Sequence, residues 1–361
     1  MTPETRQRFL VLDGIGGVPL GREIAECLRA EGHVADHVDC LRQAPRFLHG
    51  MRSSCAKAIH RMGAGLAFHC LPRTRSRELR ARFAATLPTH VLVVGFIYKF
   101  FDLAELRRLA SEYRAALLLY DTDSCNLFSR RREFVYFVER ELPIYDRIFS
   151  FSRVTAEFFT RTRGLDARTL PFAANPILLP ETPEKDIDVL FVGCGDLRRI
   201  FLLEAIRERV TVFGNRWQRH RPLISQTLWT QITDQTVWGE ELHRLLARAK
   251  IVLNITRADF YGAETGVNLR VFEAVAARCF LLTDHCDEIE ELFCVGQEIE
   301  TYRSRAELAD KARFYLENDA KREDIAKRGH ERFQKNHIWH TRIRQMLAHL
   351  EQAPTNSDRK L

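Results

Sequence analysis

The sequence predicts an α/β protein built from doubly wound parallel sheets. Three observations predict it. Short apolar runs rich in β-branched residues alternate with segments of helical periodicity, the alternation stops at a proline-rich stretch, and it then restarts. The 361 residues suffice for two or three domains. With 45% hydrophobic and 29% charged residues, the body of the chain has the composition to bury a core rather than stay disordered.

Each element follows from its residues. Arg8–Asp13 is a short apolar run ending in a glycine loop, as a strand exit does. Gly21–Arg29 is a helix, with Ile24, Cys27 and Leu28 on one face. His33–Val38 is a second strand. Val91–Gly95, Ala115–Tyr120 and Arg147–Phe151 follow as strands, with helical segments around Leu103–Glu112 and Val154–Thr162. Pro171, Pro176, Pro180 and Pro183, with the charged turn Thr182–Asp186, read as a linker. Beyond it Asp186–Gly193 is a strand, Leu197–Arg207 a helix and Thr211–Gly214 a strand. Glu240–Ala249 is a helix, Ile251–Ile255 a strand, Val267–Ala277 a helix and Phe280–Thr283 a strand. Each half opens strand–glycine–helix, and ligands of such sheets bind beyond the carboxyl ends of the strands. The expected division is 1–176, 177–336 and a terminal segment 337–361 whose last residues, Pro354–Leu361, are polar and frayed.

Composition excludes several classes. The longest apolar stretch, Val91 to Tyr98, is far short of the roughly 20 residues a membrane-crossing helix needs. The run Phe9–Leu12 behind Arg6 and Arg8 is ended by Asp13, too soon for a secretory signal. The 9 cysteines are odd in number and form no C-x-x-C, which speaks against a disulfide framework or zinc ribbon and for a reducing, cytoplasmic setting. His33, His37 and Cys40 lack the second ligand pair that a zinc site needs, so no metal site is expected.

One segment is lopsided. From Arg42 to Arg82 there are ten lysines and arginines and one acid, Glu78. Within it Leu48, Met51, Cys55, Ile59, Met62 and Leu66 recur at helical spacing. Two readings compete: a basic face for peripheral contact with an anionic membrane or a polyanionic acceptor, or a helix packed on its own sheet with a solvated basic back. Nucleic acid is not expected, because no recognition signature or aromatic interleaving accompanies the charge.

Four places carry candidate chemistry. Asp13-Gly14-Ile15-Gly16-Gly17 leaves a strand and enters a helix, so Gly14, Gly16 and Gly17 would let a ligand approach the backbone. Pro19 stands where a dinucleotide fingerprint needs its third glycine, which weakens a nicotinamide reading. Asp121-Thr122-Asp123 closes a strand, where Asp121 and Asp123 are candidate bases or turn formers. Gly193-Cys194-Gly195-Asp196-Leu197-Arg198-Arg199 puts two arginines at a helix start, where cations oppose the helix dipole and an anionic ligand would remove the conflict. Finally Glu264-Thr265-Gly266-Val267-Asn268-Leu269-Arg270 enters a helix whose Glu273 sits among apolar residues, a costly carboxylate unless hydroxyl donors or an arginine meet it.

Here the sequence resembles the CgeB-like (spore maturation protein B-like) glycosyltransferases, within the group 1 nucleotide-sugar transferases of GT-B fold. The resemblance is densest over 187–345. It rests on DVLFVGCGDLRR, on the ordered block VNLRVFEA…LLTD…EELF…GQEI…Y, and on the closing HTRIR from His340 to Arg344. It implies two Rossmann-like domains facing across a cleft, with the nucleotide sugar on the second and the acceptor on the first. Glu273 matches the acid that holds the donor ribose. Glu264 matches the first acid of the pair, at eight intervening residues where the family has seven. Arg198 or Arg199 matches the arginine that meets donor phosphate. Ala277-Arg278 stands where relatives commonly have a glycine after the helix. The resemblance also implies that a last helix, Ile338–Leu350, returns to the first domain, with His337 and His340 as structural partners.

The expected reaction is transfer of a sugar from a nucleoside diphosphate sugar to a glycan, lipid-linked or protein acceptor. Gly193, Arg198, Arg199, Gly266, Asn268, Arg270 and Glu273 would bind the donor, and Glu264 would stand near its sugar. Relatives usually retain the anomeric configuration. In an inverting reaction Asp13, Asp121 or Asp123 would serve as base. Arginines and helix-end amides would neutralise the leaving diphosphate, so no metal or cofactor is expected beyond the co-substrate. The alternatives are a nucleotide-sugar-binding protein that has lost transfer, a dinucleotide oxidoreductase, and a basic membrane- or nucleic-acid-binding module.

Overall fold

The computed structural model describes residues 6–16, 18–62, 68–124, 131–177 and 183–352. The chain forms two compact units, 1–170 with 343–361, and 171–342. Each holds one six-stranded, all-parallel sheet.

In the first unit the strands are β1 (Arg8–Asp13), β2 (Val34–Asp39), β3 (His90–Val94), β4 (Ala116–Asp121), β5 (Arg147–Ser150) and β6 (Ala167–Thr169). Their order is β2-β1-β3-β4-β5-β6. The central strands are buried on both faces. Phe9, Leu10, Val11 and Leu12 of β1 and Val91 to Val94 of β3 are fully enclosed, each side chain worth about 1.5–3 kcal/mol of burial. That burial is why the runs read as continuous rather than alternating. The helix Leu20–Ala30 packs through Leu20, Ile24, Ala25, Cys27 and Leu28, and Leu103–Glu112 through Leu106, Leu109 and Ala110.

The second unit contains β7 (Ile187–Val192), β8 (Val210–Phe213), β9 (Ile232–Thr233), β10 (Ala249–Asn254), β11 (Phe280–Asp284) and β12 (Glu300–Tyr302), in the order β12-β11-β10-β7-β8-β9. The order reverses between β7 and β10, as it does between β1 and β3 in the first sheet. At such a reversal the connections leave to opposite sides and open a crevice at the strands' carboxyl ends. Gly193 and Asn254 stand at that crevice in the second unit, and Asp13 and Gly95 at the corresponding one in the first.

Several boundaries differ from expectation. The helix expected at Leu197–Arg207 stops at Leu203, and the one expected from Val267 starts at Leu269, where the Asn268 side chain accepts from Arg270 N. Part of the proline-rich linker lies outside the described residues, as does Gly17. The last helix, Trp339–Glu351, begins in the second unit and from Ile343 onward belongs to the first, where Arg344 pairs with Glu31 at 3.0 Å and Arg147 donates to the His349 carbonyl. His337 is buried in the second unit between Phe272, Phe293 and Arg342.

Candidate functional site

The second unit assembles its candidate site at the β7/β10 reversal. Gly193 leaves β7 under Phe191 and Arg199, and an added Cβ would stand 2.9 Å from the Phe191 ring. Its carbonyl accepts from Trp217 Nε1 at 3.1 Å, which fixes the loop. Asp196 then caps the helix Leu197–Leu203, accepting from Arg199 N.

The two arginines at this helix start have different environments. Arg199 is buried. Its Nε and Nη2 donate to the Ile255 carbonyl at 3.0 and 2.7 Å, and its Nη1 to the Cys194 carbonyl at 2.8 Å. It ties the β7 loop to the β10 loop, and burial lowers its pKa. The dipole conflict that made a purely structural purpose unfavourable in sequence is met at Arg199 by protein carbonyls. The helix dipole disfavours it by a few tenths to one kcal/mol, roughly, while the carbonyls it satisfies are worth more. Arg198 instead donates Nη1 to Asp284 Oδ2 at 2.7 Å and to the Thr256 carbonyl at 2.8 Å, with its guanidinium 3.7 Å from the Tyr261 ring centroid. It lines a pocket of about 450 Å³ with Leu197, Phe201, Tyr261, Tyr302 and Arg303.

Asp284, at the end of β11, organises this region. Its carboxylate accepts from Thr256 N, Thr256 Oγ1 and Arg198. Thr256 also packs against Gly266, whose φ of +150° and lack of Cβ permit the approach. Asn268 continues the chain of contacts: its Nδ2 donates to Asn254 Oδ1 at 3.0 Å and to the Gly266 carbonyl at 3.3 Å. Its side chain thus works on the loop and the cap.

Beyond the cap, Arg270 and Glu273 face each other one turn apart, both largely buried. Arg270 Nη1 stands 2.7 Å from Glu273 Oε2, a charge contact without hydrogen-bond alignment. Arg270 Nε and Nη1 are buried and have no hydrogen-bond acceptor among the described residues. Burial raises the Glu273 pKa, and Arg270 draws it back. Burial, and then Arg270, lower that of His243. Buried donors are nearly always satisfied, so Arg270 Nε is an exception that asks for an acceptor. Glu264 is exposed on the loop before, in left-handed backbone at φ +54°, and makes no side-chain hydrogen bond among the described residues.

The structure connects Arg198, Asp284, Thr256, Gly266 and Asn268 in one network, and links it to Arg270 through the cap. Asp284 and Thr256 were not singled out from sequence. The signal was there for Asp284, which ends the LLTD run at a strand's carboxyl edge.

In the first unit the candidate acids are committed locally. Asp13 accepts from Ile15 N and Gly21 N and contacts His37 Nε2 at 3.3 Å. Asp121 is fully buried and accepts from Ser124 N, Ser124 Oγ and Ser150 Oγ; burial raises its pKa against those bonds. Both therefore hold loops together, a use that any aspartate at a strand exit can serve. Asp123 is half-buried beside it. Gly14 is closed off by backbone, since an added Cβ would meet the Phe96 carbonyl, whereas Gly16 is exposed and meets only the end of the Leu41 side chain.

The fold is GT-B. The chain is similar over its whole length to the glycosyltransferase of Rickettsia africae ESF-5, with 12% identity, TM-score 0.62 and coverage of 98% of this chain and 100% of that one. It is similar to Anabaena HepE in complex with UDP and glucose, with 12% identity, TM-score 0.62 and 95% and 99% coverage. It also resembles sucrose-phosphate synthase of Thermosynechococcus elongatus, with 14% identity, TM-score 0.63 and 95% and 98% coverage. Residues 198–348 match the family described as Glycosyl transferase-like. No curated protein matches by sequence.

Proposed function

We propose that this protein is a glycosyltransferase that moves a sugar from a nucleoside diphosphate sugar to a glycan, lipid-linked or protein acceptor. The observation that carries the reading is Arg270, in the first turn of a helix behind the Gly266 loop, whose Nε is buried without an acceptor and whose Nη1 meets the largely buried carboxylate of Glu273 at 2.7 Å. Phosphate oxygens would satisfy the arginine, and ribose hydroxyls would donate to Glu273. A family match over 198–348 that includes both residues supports it, as does the likeness to HepE, which was seen with UDP and glucose.

Transfer breaks the bond between the anomeric carbon and the diphosphate oxygen, and joins that carbon to the acceptor hydroxyl oxygen. The hydroxyl proton passes to the departing diphosphate or to a base. Negative charge builds on the phosphates, which Arg270 and Arg198 would neutralise. Arg198 reaches a phosphate only by loosening its bond to Asp284, so the donor competes with that carboxylate. Arginine charge in place of a metal, retention of configuration, a CgeB-like place in the family and a cytoplasmic site of action at a membrane's inner face all belong to this reading. In an inverting reaction the occupied oxygens of Asp13 and Asp121 make those two the poorer bases and leave Asp123 as the candidate.

The test is turnover of nucleoside diphosphate sugars with and without acceptor. Glu273→Ala and Arg270→Ala are expected to reduce kcat/KM by about 10²-fold or more, roughly 3 kcal/mol of lost transition-state contact. Unchanged transfer in both variants rejects the assignment. Donor binding without any turnover favours a silent binding protein instead.

A further inference from the structure

The helix His49–Met62 follows β2 at the carboxyl edge of the first sheet. Its residues sort in a way a packed helix does not show. Among its described side chains the half-buried positions are His49, Ser53, Ala56 and His60, one face at helical spacing, and His60 stacks on His69 at 5.2 Å between centroids. That inward face is small and polar. The apolar stripe Met51, Cys55, Ile59 and Met62 points to solvent: Met51 is 64% exposed, Ile59 70% and Met62 87%. Phe47, at 72%, and Leu48 extend it before the first turn. The alternative of a helix packed on its own sheet with a solvated basic back is thereby overturned, since the amphipathicity is inverted.

An outward apolar stripe on a monomer marks a contact surface. Its flanks say what kind. Arg52 and Lys57 on the same helix are exposed and have no carboxylate partner among the described residues. Arg75 and Arg82 follow in the next helical stretch, likewise exposed. Burial, with Arg73, Arg46, Lys57 and Arg52 around it, holds the His49 imidazole below its ordinary pKa. At 14 residues the helix is too short to span a bilayer, and no described helix is long and apolar enough to do so. A short helix with an apolar stripe between basic flanks lies along a membrane surface, with the stripe among the acyl chains and the cations at the headgroups.

We infer that Phe47–Met62 is a docking face for an anionic lipid bilayer. The surface stands at the carboxyl edge of the first sheet, where α/β proteins take their ligands, so docking presents that edge to molecules carried in the membrane. The inference narrows the acceptor to a lipid-borne one, and in that part it rests on the glycosyltransferase reading; the docking itself does not.

The test uses the full chain and sucrose-loaded vesicles of phosphatidylcholine alone or with 30% phosphatidylglycerol, sedimented without donor or acceptor. Binding to the anionic vesicles is expected to exceed binding to the neutral ones at least tenfold, and to fall steeply between 0.1 and 0.5 M salt. Arg52→Glu with Lys57→Glu should lose more than tenfold, since each basic group near such a surface is worth roughly fivefold. Ile59→Ser with Met62→Ser should lose a similar factor at unchanged salt dependence. All four side chains are exposed, and an unchanged melting temperature confirms that the variants fold. Equal binding to both vesicle types, no binding, or variants that bind like the parent overturn the inference. So does a concentration-dependent dimer that Ile59→Ser with Met62→Ser abolishes, because a second copy then covers the stripe. Transfer activity that survives any of these outcomes leaves the sugar-transfer reading standing and removes only its membrane site, so the two fail separately.

Discussion

Two neighbouring arginines show how much a single residue's surroundings decide. Arg198 and Arg199 are identical in type and adjacent in sequence, yet one is packed under the β7 loop and the other lines a pocket. Arg199→Ala removes the donors to the Ile255 and Cys194 carbonyls and is expected to destabilise the second unit by about 2–4 kcal/mol. Donor affinity, measured on the folded fraction, should stay within a fewfold. Arg198→Ala is expected to do the reverse in proportion: donor affinity falls about tenfold or more while the chemical-denaturation midpoint moves less. A calorimetric titration beside a urea melt separates them, and the opposite pattern would reassign the phosphate contact to Arg199. The sequence placed both residues at the site. It had no means to say which of them the carbonyls of the next loop would claim, because that choice depends on side-chain directions in a folded neighbourhood.

At the scale of an element, the helix Leu269–Ala276 carries most of the candidate site and has a weak end. Asn268 caps its start, whereas at its far end Arg278 takes a left-handed φ of +57° in the turn into β11. A side chain there costs roughly 1–2 kcal/mol relative to glycine. Arg278 is exposed and makes no ion pair among the described residues, so its removal forfeits little. Arg278→Gly is therefore expected to raise stability by about 1 kcal/mol without altering donor binding, readable as a shift in the urea midpoint. Loss of stability would mean that the side chain contributes something the backbone strain conceals. The departure from the glycine common in relatives was visible in the sequence. Its backbone consequence was not, since only the turn's dihedral angles show that the position is left-handed.

For the whole molecule, pH is the sharpest probe. His337 is buried, donates Nε2–H to the Leu292 carbonyl at 3.1 Å and accepts at Nδ1 from Arg342. Burial, and then Arg342, push its pKa down to about 3. In the unfolded chain an exposed histidine takes up its proton near pH 6.5. Between pH 6.5 and 3 the unfolded state therefore holds the extra proton, and stability falls as pH falls through that window. His90, lowered to about 4 by burial and then by His33, adds to the same trend from the first unit. His337→Gln, which cannot bind that proton, is expected to be less stable at pH 7 but to lose less between pH 6.5 and 5. Parallel urea midpoints for parent and variant across that range would remove His337 from the account.

What the sequence determined by itself is the alternation, hence two doubly wound parallel sheets, and the stretches that bear the site. Buried parallel strands must be apolar on both faces, and strand exits with glycine must be loops, whatever surrounds them. The edge strands β6, β9 and β12, of 3, 2 and 3 residues, left no such mark: β6 and β9 bury no side chain fully, and β12 buries Glu300 and Thr301, which are polar. Tertiary structure alone decided which environment each patterned face meets. It sent the polar side of His49–Met62 inward, closed Asp13 and Asp121 onto their own loops, and set Arg270 against Glu273 with its Nε left without an acceptor. Periodicity fixes which residues share a face. Packing across distant segments fixes whether that face is covered.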